Sequence, residues 1–301
     1  MRILAVAAAA TALAVAGTAR AGTAVVNVSV ATLWKEPGLA RTLDAPSLGT
    51  PADPRAWSRN LATADLRRWL VGRVQTQALY GERVAILAHQ GAWTKVAVLD
   101  QPDPQDPHGY PGWMPTRQLA FAPGGPTSAA AIVTARTVRL GGVELSFATR
   151  LPLVREDGAN IVVRTPTGDD ALLPRAAVVV TPLRRPSGAE IVATARRFLG
   201  VHYLWGGLSS FGYDCSGLVW AAYRSYGVTI PRDADPQFRH GRPVAPGSLR
   251  PGDLLFYGTQ RYVHHVAIYA GSGRMLEAPD SAHRVRLVPV RWGEFAGARR
   301  F

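Results

Sequence analysis

The chain contains one cysteine, Cys215, within the segment GYDCSGLV at positions 212–219. The apolar pattern that follows predicts a helix from about Cys215 to Tyr226, so the thiol stands at a helix N-terminus. There the helix dipole and unpaired N–H groups favour a thiolate, and those N–H groups can hold the oxyanion formed when a carbonyl is attacked. A lone cysteine is usually a small buried side chain. This position, upstream of a strand that carries histidines, favours a nucleophile instead.

A cysteine nucleophile needs a base, normally histidine, and a third group that orients the ring. The seven histidines of the chain are His89, His108, His202, His240, His264, His265 and His283. The best candidates are the adjacent His264 and His265, which lie in a predicted strand. Because side chains alternate along a strand, only one of the two can face the cysteine, and periodicity alone does not choose between them. A zinc site built from both histidines and Glu277 fails on spacing, because the adjacent rings point apart and a third close ligand is missing.

The elements that would position these residues begin at Ser187. Ser187 to Glu190 is a capping-box start for a helix. Apolar residues then follow on one helical face: Ile191, Ala195, Phe198 and Leu199. After the second helix come strand-like segments, DLLFYG, VHHVAIYAG, RMLEAP and VRLVPV. Helices followed by antiparallel strands predict an α+β domain over residues 187–301.

Two sets of short strands precede this domain and predict two small β-barrels, over residues 22–122 and 127–183. The first set includes VVNVSVATLW, RVAILAH and TKVAVLD. It carries a helical insertion, NLATADLRRWLVG, which Gly72 ends. A joint rich in proline and glycine at 122–127 leads to the second set, AAIVTARTVRL, VELSFATRLPLV, NIVVRTP and AVVVTPL. Residues 182–186 are typical of a linker.

Residues 1–21 have the layout of a secretory signal peptide, with an early arginine, a short apolar core and a small-x-small site before Gly22. That core is short for a membrane-spanning helix, and no later segment is long enough for one. We therefore expect an exported monomer, periplasmic or secreted, with no membrane span. The net charge of +13 would hold it near anionic wall polymers, although an arginine-rich genome alone would also yield a basic protein. Export and the lack of any nucleic-acid motif exclude a nucleic-acid partner.

The region from Ser187 to Trp292 resembles the NlpC family of papain-like cell-wall cysteine peptidases. Four motifs match that family's landmarks in order: YLWGG at 203–207, DCSG at 214–217, PGDL at 251–254 and HVAIY at 265–269. The resemblance selects His265 as the base, since the family histidine directly precedes the Val-x-Ile-Tyr run. It places the third group at Glu277, where most members have His, Asn or Gln and an acidic residue is an allowed variant. A carboxylate there could accept the ring N–H of His265.

The resemblance also covers the front of the chain, since bacterial SH3-like domains commonly precede an NlpC-type domain. The first barrel carries finer matches at ATLW, TQALYGE and GYPGWMP, which resemble the gamma-D-glutamyl-L-diamino acid endopeptidases. These enzymes cleave stem peptides that have a free N-terminal L-alanine. The substrate-binding residues that the resemblance implies are Tyr203, Asp214, Ser216 and Arg232 along the groove and Tyr110 at its closed end. Two positions depart from the pattern: Gln75 stands where an acidic amine-binding residue is expected, and Ala234 where a hydroxyl is expected. Tyr110 is equally consistent with a structural aromatic residue.

Together these matches imply a papain-like α+β catalytic domain preceded by two small all-β SH3-like barrels. They imply a cysteine endopeptidase that needs no metal or organic cofactor and hydrolyses the γ-D-glutamyl-L-diamino acid bond of peptidoglycan stem peptides. The third stem residue could be diaminopimelate or lysine. One alternative is an endopeptidase that acts on intact peptidoglycan, with the barrels as wall anchors and an open groove. The other is a non-catalytic wall-binding protein, against which the intact Cys215 and His265 pair argues.

Overall fold

The computed structural model describes residues 22–121 and 129–301. The predicted signal peptide, residues 1–21, lies outside the described residues, and so does the predicted joint at 122–127. Within the described ranges, no helix combines the length and the apolar character that crossing a bilayer requires.

The first module, residues 22–121, is built on one antiparallel sheet. Its strands are β1 (Thr23–Val26), β2 (Val30–Trp34), β3 (Val74–Leu79), β4 (Arg83–Gln90), β5 (Trp93–Val98), β6 (Tyr110–Pro115) and β7 (Leu119–Ala120). They lie in the order β3-β2-β6-β5-β4-β1-β7. Apolar residues from alternate positions of these strands, among them Val26, Leu33, Val84 and Met114, share one buried core. The strands predicted for this region are therefore present.

Three short helices separate β2 from β3: α1 (Ala45–Leu48), α2 (Pro54–Asn60) and α3 (Ala64–Arg68). The sequence predicts one continuous helix over 60–72, and the structure divides it. The cause is Thr63, whose hydroxyl accepts a hydrogen bond from the N–H of Leu66 and starts α3 as a separate helix. The insertion packs around a shared set of buried residues: Trp34, Trp57, Leu61, Leu70 and Leu204. Because Leu204 belongs to the C-terminal region, the insertion contacts the domain that carries the cysteine.

The second module is also antiparallel and all-β. Its strands are β8 (Ala130–Val133), β9 (Thr137–Leu140), β10 (Val143–Ser146), β11 (Arg150–Asp157), β12 (Asn160–Arg164), β13 (Asp170–Pro174) and β14 (Val178–Val180). Five of them form a sheet in the order β13-β12-β11-β8-β14, and β9 and β10 form a separate hairpin. Leu145, Leu151, Ile161 and Val163 are buried in its core.

The C-terminal region places its helices before its main sheet, as predicted for an α+β domain. The helices are α4 (Gly188–Arg196), α5 (Cys215–Arg224) and α6 (Ala234–His240). The strands are β15 (Leu208–Ser209), β16 (Gly212–Tyr213), β17 (Arg242–Val244), β18 (Leu254–Gly258), β19 (Val263–Gly271), β20 (Arg274–Glu277), β21 (Arg286–Pro289) and β22 (Phe295–Arg300). Six strands form an antiparallel sheet in the order β17-β22-β18-β19-β20-β21. Both α5 and α6 pack on β19, the strand of the histidine pair.

The predicted capping box of α4 is present. The Ser187 hydroxyl accepts a hydrogen bond from the N–H of Glu190 at 3.3 Å, and the Glu190 carboxylate accepts one from the N–H of Ser187 at 2.8 Å. Leu199, predicted to lie on the buried face of this helix, is instead 41% exposed. The prediction is wrong because α4 ends at Arg196, and the chain turns before it reaches Leu199.

A buried ion-pair cluster joins the three parts of the chain. Arg224, near the end of α5, lies 3.0 Å from the carboxylate of Glu82 and 3.1 Å from that of Asp100, both in the first module. Its Nε also donates to the carbonyl oxygen of Ala148 in the second module at 3.3 Å. The helix that begins with Cys215 is therefore held at its far end by both β-modules.

Candidate active site

Cys215 is the first residue of α5 and is partly exposed. Asp214 caps this helix: its backbone is extended, with φ −87° and ψ −179°, and its carboxylate accepts a 2.6 Å hydrogen bond from the N–H of Gly217. The Ser216 hydroxyl lies 3.3 Å from the same carboxylate oxygen. The predicted placement of the thiol at a helix N-terminus is thus the one in the structure.

The glycine of the DCSG motif has a steric role. A Cβ atom at Gly217 would collide with the carbonyl oxygen of Gly207 in the preceding YLWGG motif. The N–H of Asp214 donates to that same carbonyl at 3.0 Å. Close packing of the two motifs therefore sets the position of the cap and, with it, of the thiol.

His265 and His264 lie on opposite faces of β19, as strand alternation requires. His265 is 6% exposed and faces α5, whereas His264 is exposed. The Nε2 atom of His265 lies 2.8 Å from Oε2 of Glu277 on β20. Cys215 lies close enough to the same ring to raise the pKa of His265. The structure thus brings Cys215, His265 and Glu277 together, with both Cys215 and Glu277 acting on the same ring.

The ring of His265 is held in its protonated form. Burial by itself would lower the pKa of His265, but hydrogen bonds to Cys215 and Glu277, and the charges of both groups, raise that pKa to about 9. For Glu277, burial opposes ionisation, but hydrogen bonds from His265, Arg291 and Arg286 outweigh it and hold the pKa of this carboxyl well below its usual range. The two side chains therefore form a charged pair at neutral pH.

A groove with a cavity of about 260 Å³ lies beside Cys215. Its lining residues come from the first module and from the C-terminal domain: Gln75, Asp103, Tyr110, Tyr203, Asp214, Cys215, Ser216, Asp233, Ala234 and Tyr262, among others. Four of the five predicted substrate-binding residues are in that lining. Burial, and then the charges of Cys215 and Asp214, raise the pKa of Tyr203 well above its usual value, so its hydroxyl keeps its proton.

Arg232 is the fifth predicted substrate-binding residue, and it is not in the lining of this groove. It is fully buried behind Asp214, with Nη2 and Nη1 at 2.7 Å and 3.0 Å from the two carboxylate oxygens. It also donates to the hydroxyl of Ser216 and, across the module boundary, to that of Thr76, each at 3.0 Å. Its contacts are therefore those of a residue that holds the groove wall in place.

Tyr110 is part of the groove lining and is the first residue of β6. It is 4% exposed, and its hydroxyl donates a 2.8 Å hydrogen bond to the carboxylate of Asp233, which is the N-cap residue of α6. The structure thus brings this tyrosine against the C-terminal domain, and its role at the closed end of the groove stays a prediction.

Sequence reasoning missed four charged residues of this region. Asp103 and Asp233 are part of the groove lining, and Arg286 and Arg291 bind the Glu277 carboxylate. Arg286 is the register partner of Glu277, but the connection over residues 278–285 is too long for a turn to fix that register from the sequence. Asp103 and Asp233 carry no local pattern that separates them from ordinary loop and helix-cap aspartates.

Comparisons with known proteins show which families the chain resembles. Residues 200–296 match the model of the NlpC/P60 family, and residues 129–180 match the model of the YKFC SH3b2 domain. The gamma-D-glutamyl-L-lysine dipeptidyl-peptidase of Bacillus cereus is 37% identical over 302 residues, which cover 92% of this chain and 90% of that protein. The enzyme of the same name from Bacillus subtilis is 35% identical, with coverages of 87% and 92%. A crystal structure of an NlpC/P60 family protein from Bacillus cereus matches with a TM-score of 0.85 and 36% identity, covering 93% of this chain and 99% of that one.

Proposed function

The chain belongs to the NlpC/P60 family, and from this we propose that it is a cysteine endopeptidase that hydrolyses the γ-D-glutamyl-L-diamino acid bond of peptidoglycan stem peptides with a free N-terminal L-alanine. The observation that carries the proposal is the grouping of Cys215, His265 and Glu277 beside a groove whose lining includes Tyr110. The similarity to two dipeptidyl-peptidases over most of the chain supports the same bond.

In the first half of the reaction, the Cys215 thiolate attacks the γ-D-glutamyl carbonyl carbon and forms a C–S bond. The N–H groups at the start of α5 stabilise the oxyanion. Because the N–H of Gly217 is bound to Asp214, we assign this role to the N–H of Cys215 itself. His265 then gives its proton to the departing amine nitrogen as the C–N bond breaks, which leaves a thioester on the enzyme.

In the second half, a water molecule loses a proton to His265 and attacks the thioester carbonyl. The new C–O bond replaces the C–S bond, and L-Ala-D-Glu leaves as the carboxylic acid. Cys215 and His265 return to the thiolate and protonated states, so the cycle needs no other reactant. Glu277 keeps the ring oriented through the 2.8 Å contact to Nε2.

The charges of the groove lining support recognition of a free amine. Three carboxylates belong to that lining, those of Asp103, Asp214 and Asp233. Arg232 pairs with Asp214 at 2.7 Å and lies 3.7 Å from Asp233. Asp103 accepts a hydrogen bond from the N–H of Gln105 at 2.9 Å through one oxygen. This excess of negative charge favours an ammonium group, and the position of Tyr110 limits the chain length beyond it.

The proposed function also includes export by way of residues 1–21 and action as a monomer outside the cytoplasm. Similarity to the peptidoglycan endopeptidase RipB of Mycobacterium tuberculosis, 33% identical over 60% of this chain, supports the location, since peptidoglycan lies outside the cytoplasmic membrane. N-terminal sequencing of protein recovered from the periplasm or medium should begin near Gly22, and an intact N-terminus at Met1 would contradict export by cleavage.

Mass spectrometry of reaction products tests the proposed bond and the amine requirement together. L-Ala-γ-D-Glu-diaminopimelate, its lysine counterpart and their N-acetylated forms would be incubated with the full chain. Release of L-Ala-D-Glu from the free peptides alone is the expected result. Equal cleavage of acetylated peptides would instead favour an endopeptidase acting on intact peptidoglycan, and cleavage of none would favour a wall-binding protein.

The activity should decrease at alkaline pH. His265 stays protonated until the pH approaches its raised pKa of about 9, and the leaving amine needs that proton. We therefore expect kcat/KM to fall as the pH rises through about 9. Initial rates between pH 6 and pH 10 in buffers of constant ionic strength measure this decrease. If kcat/KM fell near the ordinary histidine pKa instead, the charged pair of His265 and Glu277 would be contradicted.

Replacing Tyr110 with phenylalanine should weaken recognition of the free peptide. The change removes the hydroxyl that donates to Asp233 and leaves the ring that forms the groove end. We expect kcat/KM for the free peptide to fall about tenfold, the value of one well-placed hydrogen bond. Tyr269→Phe is the matched control, because the Tyr269 hydroxyl accepts from the N–H of Gly273 outside the groove lining. Equal losses in both variants would argue that Tyr110 is structural only.

A further inference from the structure

Glu277 is bound by more partners than orientation of one ring requires. Its side chain is fully buried, and Oε2 contacts Nε2 of His265 at 2.8 Å. Arg291 forms a two-point contact, with Nη1 at 2.8 Å from Oε1 and Nη2 at 2.9 Å from Oε2. Arg286 donates from Nε at 2.9 Å and from Nη2 at 2.8 Å to Oε1. Two guanidinium groups and one imidazole thus share a single carboxylate.

A carboxylate creates a difficulty that a neutral third residue does not. An unshared negative charge in direct contact with a buried imidazolium stabilises the charged ring strongly. A ring that holds its proton too tightly is a weak acid and transfers that proton slowly to a leaving amine. The reaction proposed for Cys215 and His265 needs a ring that is charged at rest and still able to give up its proton.

We propose that Arg291 and Arg286 are positioning residues that clamp Glu277 and share its negative charge, so that His265 remains an effective proton donor. The inference rests on the proposed cysteine-peptidase reaction. It assigns a role to two residues that are not part of the groove lining and that bind the Glu277 carboxylate directly.

The two arginines are positioned at Glu277 by different parts of the local structure. Arg286 on β21 is the register partner of Glu277 on β20, so strand pairing brings it to the carboxylate. Arg291 follows β21, and its guanidinium lies 4.9 Å from the centre of the Tyr257 ring, an arrangement that favours a cation. The two-point geometry of Arg291 is the stronger contact, because a guanidinium matches a carboxylate in its own plane.

In the described part of the chain, titratable groups from several elements lie near His265. From α6, Asp235 accepts a hydrogen bond from the N–H of Val263 on β19 at 3.1 Å. From α5 the ring meets Cys215, from β20 it meets Glu277, and from β18 it meets Tyr257 at 5.7 Å between ring centres. Arg291 lies beyond Glu277 and Tyr257 and reaches the ring only through them. Loss of Arg291 should therefore make His265 hold its proton more tightly, while loss of Glu277 should do the reverse.

Alkylation of Cys215 by iodoacetamide at a series of pH values tests this without any peptide, because the chain has no other cysteine. The basic inflection of the rate reports loss of the His265 proton. We expect Arg291→Gln to move that inflection upward by up to about one pH unit and to lower kcat about tenfold with KM nearly unchanged. Arg291→Lys should recover part of both effects, and Arg286→Gln should show smaller ones.

Two controls keep a structural effect apart from the proposed one. Arg284→Gln removes a nearby exposed arginine that binds the carbonyl of Gly200, and it should leave the inflection in place. In a Glu277→Gln background the inflection should move downward, and adding Arg291→Gln should then shift it no further.

An unmoved inflection in Arg291→Gln, or a shift that persists without Glu277, would overturn the proposal. A loss of kcat that only follows a lower melting temperature would overturn it as well. If the arginine variants shifted the alkylation inflection as expected but the chain cleaved no stem peptide, only the proposed function would be contradicted.

Discussion

The Cys215→Ala variant is expected to lose at least about 10⁴-fold in kcat/KM, because removal of a nucleophile eliminates the covalent route altogether. Alanine is compatible with the first turn of a helix, and Asp214 would still cap α5 through the N–H of Gly217. The fold and the groove should therefore persist. Product formation measured by mass spectrometry gives the activity, and isothermal titration with the free tripeptide gives the binding that should remain.

Replacement of the histidine should have an effect of similar size. His265→Asn is expected to lose activity to a comparable extent, because the same ring acts as the acid in the first half of the reaction and as the base in the second. His89→Asn is the matched control, because His89 contacts Thr94 on a strand of the first module. If Cys215→Ala hydrolysed the peptide at a rate near that of the unmodified chain, the covalent mechanism would be wrong.

Arg232→Met is expected to have the second largest effect, on stability as well as on activity. Methionine fills a similar volume but leaves the Asp214 carboxylate without its two-point partner at 2.7 Å and 3.0 Å. Breaking a buried ion pair from one side costs about 3–5 kcal/mol in the free energy of unfolding. Activity should fall too, because Asp214 both lines the groove and caps the helix of Cys215.

Denaturant unfolding of the two variants Arg232→Met and Arg239→Met provides the matched comparison. Arg239 makes a similar pair with Asp235 at 2.8 Å, but its side chain is 51% exposed, so water and salt screen that contact. We expect Arg239→Met to unfold close to the midpoint of the unmodified chain. If both variants shifted the midpoint equally, burial would not be the source of the Arg232 effect.

Stability should also respond to the pH through His265. Its pKa in the folded chain, about 9, is above the ordinary value of 6.5, so folding favours the protonated ring. This contribution is complete below about pH 6.5 and is lost as the pH rises through about 9. The direction is the same as for activity, because one proton on one ring serves both.

Local sequence information was sufficient for the elements that carry the site. The capping box at Ser187, the helix start at Cys215 and the strand of the histidine pair all follow from contacts within a few residues, and each is present in the structure. The fold class and the family were predicted from four ordered motifs, and both are confirmed. Where a prediction was wrong, as at Leu199, a helix ended a few residues earlier than its apolar pattern suggested.

Alternation along β19 required His264 and His265 to face opposite sides, but the choice of the inner face depends on where α5 packs. The resemblance named His265 for the base, and the structure buries that ring beside Cys215. The roles of Cys215, His265 and Glu277 remain predictions until the variants are measured.

Other features were decided only by the tertiary structure, because they join residues far apart in the chain. Tyr110 meets Asp233 across 123 positions, and Arg232 meets Thr76 across 156. No local pattern encodes such contacts, since they depend on how the first module docks on the C-terminal domain. That docking buried Arg232 behind the groove wall instead of in it. The sequence by itself thus determined the local elements that carry Cys215, His265 and Glu277, while packing between distant segments decided which side chains face the groove and which support it.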